Sequence, residues 1–249
     1  MRSNTDTQKF TSLMIVRAGL FMAMSLVLKV LFEIYVPIAG IPALRITFAS
    51  IPIILSGMVL GPAAGFITGA ATDIINFKIK PGGPFFPGFT LASALSGFIP
   101  GIIYKYLKKE INFNWLNTLF ISLLSVGFVS VFIYNGLLTF DNGIMYDGKT
   151  LNVLYIIGFF ALVVAYLLIP IKLTSSTKDL NMNKIVFTIS ITQLITSIIL
   201  NTYFLSVLYG KGFIIFLPAR ILTNFFTIPL YSVIIAAILG ALKGRFILK

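Results

Sequence analysis

The chain has 249 residues, of which 58% are hydrophobic and 10% charged, with a mean hydropathy of +1.00; a soluble domain carries roughly a quarter of its residues as charges, so an integral membrane protein is expected. Cysteine and histidine are both absent, which excludes disulfides, thiol nucleophiles and thiolate metal sites and removes the usual proton shuttle and the commonest metal ligand. A net charge of +12 would suggest nucleic acid in a soluble protein, but in a membrane protein cationic cytoplasmic loops facing anionic lipid account for it, so lipid and not nucleic acid is the expected partner.

Met1 to Lys9 is polar. An apolar run from about Phe10 to Val36 follows, enough for a span of ~20 residues plus tilt. Arg17 lies near its start, and Lys29 and Glu33 near its end. The run is far longer than a signal-peptide core and no A-x-A-like site follows it, so no cleavable signal is expected. Gly19 and Ala23 make a small-xxx-small pair, which packs on a helix of the same chain or offers a face to a partner protein. Pro37 to Arg45 reads as a Pro/Gly-broken loop, and about Ile46 to Leu60 as the second span. A Gly61-Pro62 turn leads into the third, about Ala63 to Phe77. Here Gly61, Gly65 and Gly69 fall on one ridge that lets backbones touch. Asp73 follows one step on. An intramembrane acid is a functional candidate by default; a hydrogen-bonded structural role is the alternative.

The stretch Asn76 to Gly101, NFKIKPGGPFFPGFTLASALSGFIPG, joins two chemistries. Lys78 and Lys80 stand on its left. Pro81, Gly82, Gly83, Pro84, Pro87 and Gly88 are expected to forbid a regular helix in its middle. Ser93, Gly97 and Gly101 recur four apart on its right, a stripe on which another helix can pack closely. Such a basic, aromatic loop is either a lid over a binding site or a connector.

The fourth span runs from about Thr90 to Tyr104 and ends in Lys105, Lys108 and Lys109, which read as cytoplasmic. Trp115 to Thr139 is the fifth, followed by a short acidic loop with Asp141 and Asp147. Leu151 to Ile171 is the sixth, and a polar stretch with Lys172, Lys178 and Lys184 comes next. The seventh, Ile185 to Tyr209, carries Gln193, Asn201 and Thr202. Gly210 to Gly212 turns the chain. The eighth lies within Phe213 to Leu242 and is expected to start at Pro218, a good first-turn residue. With about eight spans and the amino terminus inside, both termini are cytoplasmic. The inner side then collects about eleven cations, and the outer side about five: Arg45, Lys78, Lys80, Lys149 and Lys211. That is the positive-inside bias.

Arg220, in the expected first turn of the last helix, and Lys29 join the outer cations. An arginine within a span costs roughly 2.5–3.5 kcal/mol on insertion scales, so it is expected to face a wet pocket or an anion, beside the N–H donors of a helix start. The cations point to an extracellular pocket for a small organic anion; snorkelling to headgroups is the alternative for the lysines. No G-x-x-x-x-G-K-[ST] occurs, so a Walker site is excluded. Of seven carboxylates only Glu33 and Asp73 fall within spans, which is thin material for an ion relay. No catalytic residue, cofactor or metal is expected. What is left is a solute-binding membrane protein, not an enzyme, without its own motor.

Phe86 to Gly101 (FPGFTLASALSGFIPG) closely resembles the F-P-G-F-T-L-S-A-x-L-S-G motif of the folate-family substrate-binding (S) components of energy-coupling factor (ECF) transporters, the FolT-like proteins. LVLKVLFEIYVPIAGIPALRITFASIP resembles the end of their first helix and first loop. GPAAGFITGAATDIINF resembles their G-P-x-x-G-x-x-x-G-x-x-x-D hairpin, and LNTYFLSVLYGKGFIIFLPARI their L-N-T-x-W-L-S-x-L-Y-G-K…L-P-x-R-[IL] signature. The likeness covers about Val16–Lys109 and Lys184–Leu242.

The resemblance implies a six-helix all-α bundle that captures a vitamin outside the cell, folate first. It implies docking on a transmembrane coupling subunit and two cytoplasmic ATPases, whose hydrolysis drives uptake by toppling the S component. Folates carry a flat pterin and a glutamate tail with two carboxylates. Arg220, Lys211 and Arg45 are then expected to pair with carboxylates, and Phe86, Phe89, Tyr203 and Tyr209 to stack on rings. The implied substrate-binding set is completed by Lys29, Pro87, Gly88, Thr90 and Asn201. Lys29 stands where the family shows arginine, keeping the charge but losing the bidentate fork. Gly19 and Ala23 stand where members have an A-x-x-x-A docking pair. The chain departs from the family in the middle, where about Asn112 to Leu180 adds roughly two helices as a hairpin within one membrane domain. The alternatives are an S component for pantothenate or a thiamine-related vitamin, a stand-alone ion-coupled carrier, and a structural membrane protein. The shortage of membrane acids disfavours the carrier, and the clustered outer cations the structural role.

Overall fold

The computed structural model describes residues 12–38, 41–81, 83–107, 111–134, 138–139, 145–146, 149–150, 157–158, 160–161, 163–164 and 181–243. Its helices are α1 (Ser12–Phe32), α2 (Ser50–Leu60), α3 (Pro62–Ile79), α4 (Pro87–Tyr106), α5 (Phe113–Tyr134), α6 (Met182–Gln193), α7 (Thr202–Tyr209) and α8 (Phe213–Lys243). A π-helical segment, Leu194–Asn201, runs α6 into α7 without a break. Among the described residues, five stretches are long and apolar enough to cross a membrane: α1, α4, most of α5, Met182–Tyr209 and most of α8. The protein is a helical, multi-pass membrane protein. Most of the expected sixth span lies outside the described residues, as do Gly82, Lys108, Lys109, Asp141, Asp147, Lys172 and Lys178 and both chain ends.

The chain is not purely helical. Ile34–Ile38 (β1) and Ile41–Ile46 (β2) pair as an antiparallel hairpin, with Ile34 opposite Ile46 and Tyr35 opposite Arg45. This corrects the expected loop and the expected start of the second span at Ile46. Pro37 has no N–H to give a ladder, and it falls where the register shifts between Val36 and Ile38, the position a strand proline tolerates. Three two-residue strands, Leu138–Thr139, Met145–Tyr146 and Lys149–Thr150, pair antiparallel beyond α5.

Helix α2 is buried along nearly its whole length. Eleven residues rise about 16 Å, too short to cross hydrocarbon of about 30 Å, so α2 is a core helix. Gly61, at φ 97°, allows the reversal into α3. The two glycine ridges expected from spacing then pack on one another: α3 meets α4 with Gly65 against Gly97 and Gly69 against Ser93. Behind them Ile54, Leu55, Ile121, Met182, Ile185, Phe225 and Ile228 form one apolar core that joins α2, α5, α6 and α8. Helix α5, from the stretch with no counterpart in the family motifs, is therefore part of the bundle: Phe120, Ile121 and Leu124 are buried, and Asn117 Nδ2 donates to the Asn183 carbonyl at 3.0 Å.

Lys184 is a clasp between helices. Asn181 caps α6 by accepting from the Lys184 N–H at 3.1 Å. The Lys184 Nζ donates to the carbonyls of Tyr104 and Leu107, at 2.9 and 2.8 Å, and lies 5.2 Å from the Tyr104 ring centre. These carbonyls belong to the last turn of α4 and to its C-cap Leu107, at the negative end of the helix dipole. Lys184→Met is expected to destabilise the protein by about 2 kcal/mol through two lost charge-assisted bonds. Thermal unfolding in detergent checks this, and Lys184→Arg should recover part of the loss.

Candidate functional site

Helix α8 is apolar except for one face. Arg220, Thr223, Asn224, Thr227 and Tyr231 recur at spacings of three and four, so they share a stripe, and all five line a cavity of about 170 Å³. Facing them are Gln193, Thr196, Ser197 and Asn201 from the end of α6 and the π segment. Thr72 and Asp73 of α3, Phe89, Ser93 and Ser96 of α4, Ser50 of α2, and Lys29 and Glu33 at the end of α1 close the wall.

The hydroxyls along α6 and the π segment are engaged within their own helix. Thr188, Thr192 and Thr196 each donate to the carbonyl four residues back, the usual resort of a helical hydroxyl among apolar neighbours. Thr202 donates five residues back, to the Ser197 carbonyl at 3.4 Å, matching the wider π turn. Asn224 Nδ2 donates to Ser197 Oγ at 3.2 Å and to the Arg220 carbonyl at 2.7 Å. Its Oδ1 and the Thr72 hydroxyl are buried without a partner among the described residues, so the cavity offers polar atoms to a ligand. Two bonds tie lining residues to their neighbours: the Tyr231 hydroxyl donates to the Thr47 carbonyl, and Ser25 donates to the Ala49 carbonyl at 2.6 Å.

Lys29 Nζ lies 3.4 Å from Asp73 Oδ1, and Thr90 Oγ1 donates to Asp73 Oδ2 at 2.9 Å. A second pocket of about 30 Å³ shares Lys29, Asp73 and Phe89 and is bounded by Lys80, Gly83, Pro84, Phe85 and Phe86. The Pro/Gly loop thus stands directly against the site. Phe86, Phe89 and Phe204 cluster with ring centres 5.5 to 6.1 Å apart. Gly88 is what lets them close: a Cβ there would sit 2.5 Å from the Phe86 ring and 2.8 Å from that of Phe204.

Of the residues singled out from sequence, Lys29, Phe89, Asn201 and Arg220 line the larger cavity and Phe86 the smaller. Thr90 reaches the site through Asp73. Pro87 and Gly88 do not break the chain; they are the first residues of α4, where a proline loses no hydrogen bond. Arg220 is 7% exposed, but it is not in a first turn, because α8 begins at Phe213 and continues through Pro218. Tyr203 is 55% exposed; two residues from Asn201, it points round the helix from the cavity. Tyr209 packs with Leu205 and Phe216 instead, and Lys211 lies at the α7–α8 turn, its carbonyl accepting from Ser206 Oγ at 2.7 Å. Of Arg45 only its place in β2 is described. The sequence reading passed over Thr223, Asn224, Thr227 and Tyr231, although a polar stripe at helical spacing in an apolar span was a usable signal.

Comparison with known proteins agrees with this architecture. The family model for the ECF transporter substrate-specific component matches residues 13–146. The folate transporter FolT of Clostridium novyi is 31% identical over 141 residues, covering 57% of this chain and 76% of that protein. A shorter likeness, 35% over 68 residues, reaches 14% of an uncharacterised Mycoplasma pneumoniae protein. The crystal structure of FolT bound with folic acid superposes with a TM-score of 0.52 at 21% identity, over 91% of this chain and 93% of that one, which shows a shared fold. With more than half its length matched by the family model and three quarters of FolT aligned to it, the chain belongs to the substrate-specific components of ECF transporters and is FolT-like among them.

Proposed function

We propose that the protein captures folate at the cell membrane and delivers it through an ECF complex. The observation that carries this is the cavity itself, set in a chain 31% identical to FolT. It combines cations, amides and an aromatic ring. Carboxylates of a glutamate tail suit Arg220 and Lys29. The donor and acceptor edges of a pterin suit Gln193, Asn201 and Asn224, and its flat face suits Phe89.

Energy comes from elsewhere in this reading. The chain has no Walker motif, and it acts as a binding subunit and not as an enzyme. A transmembrane coupling subunit and two ATPases supply the driving force. Gly19 and Ala23 serve as a docking pair; both are exposed on α1, and nothing lies within 4 Å of a Cβ built at Gly19. The chain makes about eight spans with both termini cytoplasmic, and 112–180 is a hairpin added to a six-helix plan.

Native mass spectrometry of the detergent-purified protein tests the ligand. A folate mass on the protein is the expected result. A different vitamin would keep the class and replace the substrate; no bound mass and no heat on titration with folic acid would sink the reading.

A further inference from the structure

Asn76 is a buried amide with nothing to bond. It is 4% exposed and sits near the end of α3, where its backbone carbonyl accepts from the Lys80 N–H at 2.8 Å. Its Oδ1 is buried without a partner, and its Nδ2 makes no hydrogen bond among the described residues. Asn117 and Asn224 differ, since the Nδ2 of each reaches a carbonyl. A buried amide with no bond at either end is costly, and in a folded protein it marks a place for water or a ligand.

Asn76 lines the smaller pocket, which shares Lys29, Asp73 and Phe89 with the larger cavity. Phe77, Phe85 and Phe86 line it too, and rings give an amide little to pair with. Asn76 follows Asp73, the partner of Lys29, by three residues, about 4.5 Å along the helix axis and on the same face. Thr72, one turn before Asn76, has an unpartnered hydroxyl and lines the larger cavity. Helix α3 thus gives each pocket wall one polar side chain that lacks a partner. In an N-acyl amino acid the amide nitrogen stands one carbon away from the carboxylate carbon. A tail carboxylate on Lys29 therefore brings its amide to the stretch of wall that Asn76 occupies. We infer that Asn76 is a specificity-determining contact, pairing with the amide that joins the body of the ligand to its acidic tail. The ligand class is an amide-linked acid, in preference to the matching ester. The contact deepens the folate reading and rests on it, and its test separates the two.

Titration calorimetry on the full chain compares folic acid with its ester analogue, in which oxygen replaces the amide N–H. The parent is expected to bind the ester roughly tenfold more weakly, because the donor is lost and an ester carbonyl is the poorer acceptor. Asn76→Leu should lose roughly tenfold for folic acid and bind the two compounds alike. The ligand-free variant is expected to melt no lower than the parent, because the change removes an unpaired polar group at similar volume. A preference for the amide that survives in Asn76→Leu, or is absent from the parent, overturns the assignment. So does a ligand-free variant that melts below the parent, which is the mark of a structural amide. Should the parent bind no folic acid, the folate reading falls, and pantothenate, an amide-linked acid without a ring, becomes the probe. Pantothenate bound by the parent and weakened roughly tenfold by Asn76→Leu upholds the contact; pantothenate bound equally by both, or not bound by the parent, overturns it.

Discussion

Replacing Arg220 by alanine is expected to weaken folate binding by at least a hundredfold, about 3 kcal/mol. Arg220 is 7% exposed and lines the cavity one turn before Asn224. In that setting a bond to a carboxylate is charge-assisted and shielded from water. Removing the cation also leaves the ligand's carboxylate desolvated and unpaired, and this second cost is what makes truncation of one partner expensive. Arg220→Lys keeps the charge but not the planar fork, so a loss of about tenfold is expected. The Asn224 amide bonds the backbone carbonyl of residue 220, which both substitutions retain. Melting of the ligand-free variants shows whether the bundle is intact, and calorimetry with folic acid reads the affinity. An affinity within threefold of the parent's would remove Arg220 from the site.

Apolar runs made most of the fold legible, because lipid leaves helices few alternatives. The errors cluster at prolines. Pro87 was read as a breaker and opens α4; Pro218 was read as an opening and lies inside α8. A proline constrains its own φ and one N–H; which of these outcomes follows depends on neighbours that local sequence does not name. The β1–β2 hairpin was hidden for the same reason, with Pro37 at the register shift. The π segment has no sequence signature, yet it carries Ser197 and Asn201 on the cavity wall.

The site was legible where a residue was unusual for a membrane span. Arg220, Lys29 and Asn201 stood out by polarity and do line the cavity. Tyr203 lies off the cavity wall, because its helical angle from Asn201 turns it to the exposed side. Thr223, Asn224 and Thr227 were missed because each is unremarkable alone and only their spacing marks them. Charge sign is less legible, because a sequence shows how many acids a span holds but not which cations they meet. The structure brings Asp73 and Glu33 to the same cavity as Lys29 and Arg220, so the cations alone do not give its charge.

Gly97→Val is expected to stop α3 and α4 from packing, with a loss above 3 kcal/mol, the upper end of ordinary overpacking. A Cβ at Gly97 would overlap the Gly65 carbonyl oxygen and come within 2.5 Å of its carbon and 2.9 Å of the Gly65 Cα. All of these are backbone atoms, with no flexible side chain to swing aside. The two helices would have to separate, and in lipid such helices are held mainly by close van der Waals contact. Gly127 is the matched control: it lies in α5 with nothing within 4 Å of a built Cβ. Both substitutions put a better helix former in place of glycine, so propensity favours the two variants alike, and any difference between them comes from the interface. Thermal unfolding in detergent should show Gly97→Val poorly folded and Gly127→Val close to the parent. Binding should follow, because the separated helices carry Thr72 and Asp73 on one side of the cavity and Phe89, Ser93 and Ser96 on the other. If the two variants melted alike, the glycine contact would not be what holds the cavity wall in place.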